Sequence, residues 1–290
     1  MAVGLWRLSL GGAEALARGE ASSGPAELLA TSTPLDDLVA AGAGAISAAL
    51  RGPLGGPVPP AASVLAPLGN QEVWAAGVTF LRSREARKEE SGTPDPYDLV
   101  YEAERPELFL KAAPGRARGP GQTVGVRADS SWDVPEPELA VVADAGGRPA
   151  AYTIGDDVSS RSIEGENPLY LPQAKVYRAS CAIGPCLVPV DQAPPLADMT
   201  VSLSITRRGA QLFSESAALS GLRRPPSELV AWLYRALDFP VGAALLTGTS
   251  IVPERDLTLR RGDVVTITIT GLGRLVNQVE VVGDPAWVAG

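Results

Sequence analysis

The chain has 290 residues, 45% apolar and 20% charged, enough for one large globular domain or two smaller ones with a sizeable core. A net charge of -8 argues against non-specific nucleic-acid binding, which needs clustered Lys and Arg; no apolar run approaches the ~20 residues that cross a bilayer, and the opening ten residues lack the basic and apolar stretches of a signal peptide, so a cytoplasmic protein away from membranes is expected. Histidine is absent altogether, which removes Ser-His and Cys-His nucleophile pairs and His-ligated zinc and leaves hard cations on oxygen ligands as the metal chemistry open to it.

In chain order, residues 3–10 read as a short strand, followed by a polar Gly/Ser-rich patch and Ala- and Leu-rich helical stretches over 35–50. Arg51-Gly-Pro-Leu-Gly-Gly-Pro-Val-Pro-Pro60 is dense in Pro and Gly and reads as an extended connection. It sets off a small N-terminal domain, 1–68, from a larger one, 69–290. From about residue 71 strands dominate. Residues 73–80 suit a buried strand, 81–90 a charged exposed helix or mobile segment, and 108–111 a short strand. Residues 139–143 and 150–154 flank Asp144-Ala-Gly-Gly-Arg-Pro149, a hairpin signal. Residues 199–206 and 264–269 alternate as strands do, and 225–237 form a helix that Ser227 is placed to cap. Cys181 and Cys186 flank a Gly-Pro turn and read as buried thiols. The whole is an α+β, β-rich chain with few, peripheral helices.

Glu136 and Glu138 are two apart, so in a strand their carboxylates share a face. On spacing alone the commoner account is a solvated strand edge. A hairpin turning at Gly146-Gly147 would place Asp157 opposite Glu136, however, and add a third carboxylate. Three acids converging on one face would suit Mg²⁺, with Mn²⁺ or Ca²⁺ as alternatives.

The run from Asp156 to Lys175, DDVSSRSIEGENPLYLPQAK, together with Glu136-Pro-Glu138, resembles the fumarylacetoacetate hydrolase superfamily, and within it the branch of 2-keto-3-deoxy-D-arabinonate dehydratases. Gly77-Val-Thr-Phe80, Arg105-Pro-Glu-Leu-Phe-Leu-Lys111 and Leu246-Thr-Gly-Thr249 add to the match, which covers roughly residues 71–285 and fades before 70. The resemblance implies a fumarylacetoacetase-like mixed β-sandwich or β-roll behind a small N-terminal domain, assembled as a homodimer or homotetramer. It implies Glu136, Glu138 and Asp157 as metal ligands and Lys175 as the catalytic ammonium. Thr249 would hold the carboxylate of a small-molecule 2-keto acid, and Thr79 and Phe80 would line the pocket beneath a lid.

Many hydrolases of this superfamily carry a His-Glu pair six and nine residues after the glycine that opens the lid; counted from Gly77, those places hold Ser83 and Ala86. A hydrolase without its usual base is disfavoured, and a dehydratase is expected: Lys175 as base at C3, Glu107 as acid at the C4 hydroxyl, and 2-oxoglutarate semialdehyde as product from a five-carbon acid. The alternatives are a metal-dependent hydrolase or decarboxylase of acylpyruvate-type 2-oxo acids and, from another class, a non-catalytic ligand-binding protein.

Overall fold

Two consecutive glycines, Gly11 and Gly12 at φ 60° and 96°, fold β1 (Val3–Leu10) back onto β2 (Ala13–Glu20), since a two-residue hairpin turn needs left-handed backbone. In this computed structural model, which describes residues 2–81 and 95–283, β3 (Glu27–Leu29) and β4 (Leu54–Pro57) extend that hairpin outward. The Pro- and Gly-dense stretch expected as a bare connection therefore carries a strand, a correction with a simple cause: β4 is the sheet edge, where Pro and Gly are tolerated. Between β3 and β4, α1 (Leu35–Ala41) and α2 (Ala43–Leu50) break at Gly42, φ 91°. Then come β5 (Ser63–Val64), β6 (Glu72–Gly77), α3 (Asp95–Glu102) and β7 (Glu107–Ala112). Beyond Leu81, the helix expected over 81–90 lies outside the described residues.

The middle of the chain holds β8 (Thr123–Arg127), β9 (Asp133–Val134), β10 (Pro137–Ala143), β11 (Pro149–Asp157) and β12 (Ser159–Ser160), then α4 (Arg161–Glu166), α5 (Leu171–Lys175) and β13 (Cys181–Pro189). The last part is β14 (Thr200–Arg207), β15 (Ala210–Ala218), α6 (Pro226–Leu233), β16 (Ala243–Thr249), β17 (Val264–Ile269) and β18 (Gly273–Val282). Ser227 does not cap α6. Pro225 is the N-cap residue, no side-chain cap is made, and Ser227 falls inside the first turn. The helix stops at Leu233, four residues short of the expected end, where Leu229, Val230 and Leu233 have already spent its apolar face.

Most of the strands form one large mixed sheet in the order β4-β3-β2-β1-β13-β11-β10-β16-β6-β7. The N-terminal segment expected as a unit of its own joins this sheet through β1 and β13, where Leu5 faces Leu187. A second sheet, β15-β14-β17-β18-β8, packs on one face of the first. Side chains on β10 alternate between layers, as the two-residue period of a strand requires. Leu139 joins the core beneath the second sheet, Ala140 and Val142 the core under α1 and α2, and Val141 and Ala143 the patch beneath α6. All seven residues of β10 are buried, and Glu138, near its start, lines a cavity together with Glu136.

Candidate active site

The β10–β11 hairpin builds the site. Asp144 Oδ1 accepts from the backbone N–H groups of Gly146 and Arg148 at 2.9 and 3.0 Å and closes the turn. The register that follows pairs Pro137 with Asp156 and Glu138 with Gly155, and the Asp157 N–H donates to the Glu136 carbonyl at 3.0 Å. Asp157 thus lies across from Glu136, as the hairpin reading places it. Glu136, Glu138 and Asp157 are buried, and each offers an oxygen within 4.8 Å of the others.

Donors fix each of these carboxylates. Arg161 Nε donates to Glu136 Oε1 at 3.2 Å, and the Gly248 N–H to Glu138 Oε2 at 2.5 Å. Lys111 Nζ forms an ion pair with Asp157 Oδ1 outside hydrogen-bond geometry. Lys175, the last residue of α5, donates from Nζ to Glu136 Oε2 at 2.9 Å, Asp157 Oδ2 at 3.1 Å and Ser159 Oγ at 2.6 Å. Gly248 sits at φ 95°, and a Cβ there would stand 1.9 Å from Thr79 Oγ1, so the close backbone approach to Glu138 requires glycine.

Burial, with the charges of Asp157 and Glu136 beside it, pushes the Glu138 carboxyl well above its usual range; Lys175 and the Gly248 N–H only partly offset this. Burial likewise pushes Asp156 up to about 8. A buried, all-oxygen trio in which one acid is disfavoured as an anion fits a divalent cation, whose charge relieves the repulsion. Hard ions with ligand distances of about 2.0–2.6 Å match such a donor set.

Glu107, at the start of β7, and Thr249, at the end of β16, line the same cavity as the three acids and Lys175. The Thr249 hydroxyl donates to the Ile251 carbonyl and accepts from its N–H, which ties down the turn after β16. Among the described residues that line this cavity are Val78 and Gly248, which flank Thr79, but not Thr79 or Phe80 themselves. Thr79 Oγ1 donates to the Thr247 carbonyl at 2.6 Å, and Phe80 is buried in the core under the second sheet. Val78, at φ 53°, follows the end of β6 in left-handed backbone.

Lys111, Ser159, Arg161 and Glu164 were not singled out by sequence. Lys111 and Arg161 are charged residues that the fold buries completely or nearly so, and Glu164 lines the cavity from α4. The available signal was charge set among apolar or small residues, as in Leu108-Phe-Leu-Lys-Ala112. Cys181 and Cys186 are free and buried, and burial pushes both thiols up. No helix among the described residues is long and apolar enough to cross a membrane.

Residues 81–280 match the family model described as fumarylacetoacetate (FAA) hydrolase C-terminal. The chain is 50% identical over 216 residues to a probable 2-keto-3-deoxyxylonate dehydratase of Haloferax volcanii, covering 74% of each protein. It is 43% identical over 218 residues to the 2-dehydro-3-deoxy-D-arabinonate dehydratase of Saccharolobus solfataricus, covering 74% of this chain and 73% of that one. Among solved structures, a 2-keto-3-deoxy-D-arabinonate dehydratase complexed with magnesium and 2,5-dioxopentanoate superposes with a TM-score of 0.82 at 33% identity, covering 97% of this chain and 99% of the other.

Proposed function

We infer that this chain, which belongs to the fumarylacetoacetate hydrolase family, is a metal-dependent dehydratase of 2-keto-3-deoxy sugar acids, converting a five-carbon 2-keto-3-deoxypentonate to 2-oxoglutarate semialdehyde. The observation that carries the reading is the meeting of Glu136, Glu138 and Asp157 with the Lys175 ammonium in one cavity that Glu107 also lines. Glu136, Glu138 and Asp157 would hold the ion, Mg²⁺ first, with Mn²⁺ or Ca²⁺ as substitutes. A divalent cation bound there supplies Lewis-acid polarisation of the 2-keto group, which acidifies the hydrogens on C3.

The residues of the chain do the rest. Thr249, at the cavity wall, orients the substrate carboxylate. Lys175, acting as the neutral amine once its ammonium has released a proton, takes a proton from C3, and Glu107, acting as the protonated carboxyl, delivers one to the departing C4 hydroxyl. The C3–H and C4–O bonds break, a C3=C4 double bond forms, and one water leaves. Tautomerisation then turns the C5 hydroxymethyl group into the aldehyde. The chain's lack of histidine supports this reading over C–C bond hydrolysis, because the positions that carry the His-Glu pair in many hydrolases of the family hold Ser83 and Ala86, which lie outside the described residues. A homodimer or homotetramer in the cytoplasm completes the proposal, with gel filtration as the check on assembly.

The test is a panel of 2-keto-3-deoxy-D-arabinonate, its C4 epimer 2-keto-3-deoxy-L-arabinonate and an acylpyruvate, run with Mg²⁺ and again after chelation. Aldehyde formation that disappears with chelator and returns with Mg²⁺ is the expected result. Pyruvate and a carboxylic acid released from the acylpyruvate, with no aldehyde from either pentonate, would replace a lyase with a hydrolase.

A further inference from the structure

We propose that Lys111 is a positioning residue that fastens the two ends of the active-site segment, the metal ligand Asp157 and the base Lys175, to the strand carrying the acid Glu107. The inference rests on the dehydratase reading for the roles of those three residues, but its geometry stands by itself. Lys111 has a fully buried side chain. Its Nζ pairs with Asp157 Oδ1, donates to the Val158 carbonyl at 3.0 Å and donates to the Lys175 carbonyl at 2.6 Å. A buried ammonium is costly unless such partners surround it, and all three belong to the segment that begins at Asp157 and ends at Lys175.

That segment carries β12, α4 and α5, with Glu164 and Leu171 on the cavity wall. The backbone at the start of the segment already pairs with Ser180 and Cys181 just beyond its end, and Lys175 Nζ joins the two ends inside the cavity. Lys111 supplies a link from behind. Ser180 Oγ also donates to the Lys175 carbonyl at 2.8 Å, so the turn that ends α5 is held from two sides. In a strand, residues two apart share a face, as Glu107 and Phe109 do on β7, and Lys111 follows them at the bulge where Leu110 and Ala112 pair with Trp74 and Val73. Glu107 and Phe109 line the cavity, the Phe109 ring centroid lies 5.9 Å from Lys175 Nζ, and Lys111 anchors the floor beneath them. One strand therefore sets the distance between acid, base and metal ligand. Holding one oxygen of Asp157 also limits how the carboxylate can rotate towards a cation.

The test uses full-length Lys111→Met and Lys111→Gln, with three readouts: thermal unfolding, Mn²⁺ affinity by calorimetry without substrate, and kcat and KM on the pentonate. The expected result is that both variants fold, kcat falls about 10- to 100-fold with KM within about threefold, and Mn²⁺ binds about tenfold more weakly. Simple removal of a positive charge would instead leave Mn²⁺ binding unchanged or tighter, and that outcome would overturn the proposal. Failure of both variants to fold would also overturn it, since Lys111 would then be a requirement of the fold and not of the site. If the wild-type chain turns over no pentonate, the dehydratase reading fails while the Mn²⁺ measurement still decides whether Lys111 orients Asp157.

Discussion

Lys175 Nζ lies 2.9 Å from Glu136 Oε2 and 3.1 Å from Asp157 Oδ2, so a single ammonium holds one oxygen on each of two acids offered as metal ligands. A cation arriving among these carboxylates competes with that ammonium for their lone pairs. Lys175→Met removes both the competitor and the proposed base. Mn²⁺ should then bind the variant at least as tightly as wild type by calorimetry, while turnover of the pentonate drops about 10²- to 10⁴-fold. Undiminished turnover would take Lys175 out of the chemistry.

Gly77 and Glu107 are register partners on β6 and β7, and a Cβ at Gly77 would stand 2.0 Å from Glu107 Oε2. Gly77→Ala must swing the carboxylate aside while leaving its charge in place. If Glu107 is the acid, this variant and Glu107→Gln should both lose kcat, by about 10²-fold for a displaced catalytic group. Thermal unfolding should separate this from loss of fold, because only the end of one side chain needs to move. Full activity in both variants would assign the proton at C4 to another group, and Glu164, across the same cavity, would be next to test.

The hairpin that brings Asp157 to Glu136 was legible because Gly146-Gly147 marks the turn and a two-residue side-chain period then fixes which residues share a face, although the register also passes a bulge at Val142–Ala143 that the sequence does not announce. Strand 264–269 was legible because alternation survives when one face is buried, whereas 139–143, buried on both faces, was legible as an apolar run beside a turn signal. Strand β2 was not, because Ala13-Glu-Ala-Leu-Ala-Arg-Gly-Glu20 is rich in helix formers, and only pairing with β1 overrides that preference. Lys111 and Arg161 stayed hidden for a different reason. A lone basic residue in sequence reads as surface, and it becomes a buried clamp only once the partner carboxylates arrive from other strands. The left-handed residue Val78, just before Thr79 and Phe80, also stayed hidden, because nothing in the local pattern announces it.

Gly248→Ala tests the backbone clamp on Glu138. At φ 95°, with a Cβ pressed against Thr79 Oγ1, alanine must shift the turn that aims the N–H at Glu138 Oε2. Forcing a side chain into this conformation costs about 1–3 kcal/mol. The variant should unfold at lower denaturant and bind Mn²⁺ more weakly. Unchanged Mn²⁺ affinity in a destabilised protein would mean that Glu138 is oriented without this N–H.

Away from the metal ligands, Asp133 predicts how stability follows pH. Its carboxyl is pushed up to about 6 by burial, which the hydrogen bond from Ser130 and the charge of Arg127 only partly offset. Its Oδ1 finds no donor among the described residues. Between about pH 4 and 6 the folded chain keeps a proton here that the unfolded chain has released. The contribution to stability is therefore fully present below pH 4 and is lost as pH rises through 6, amounting to about 2–3 kcal/mol. Asp133→Asn cannot titrate and should be free of this loss. Urea unfolding of the metal-free protein at about pH 4 and pH 7.5 should show wild type losing more stability than the variant across that interval. The backbone N–H and C=O of residue 133 bond to Thr258 and Leu259 in either case, so the substitution leaves the strand anchored. Equal losses in the two proteins would show that Asp133 stays ionised in the fold and that burial is offset there by contacts stronger than Ser130 and Arg127.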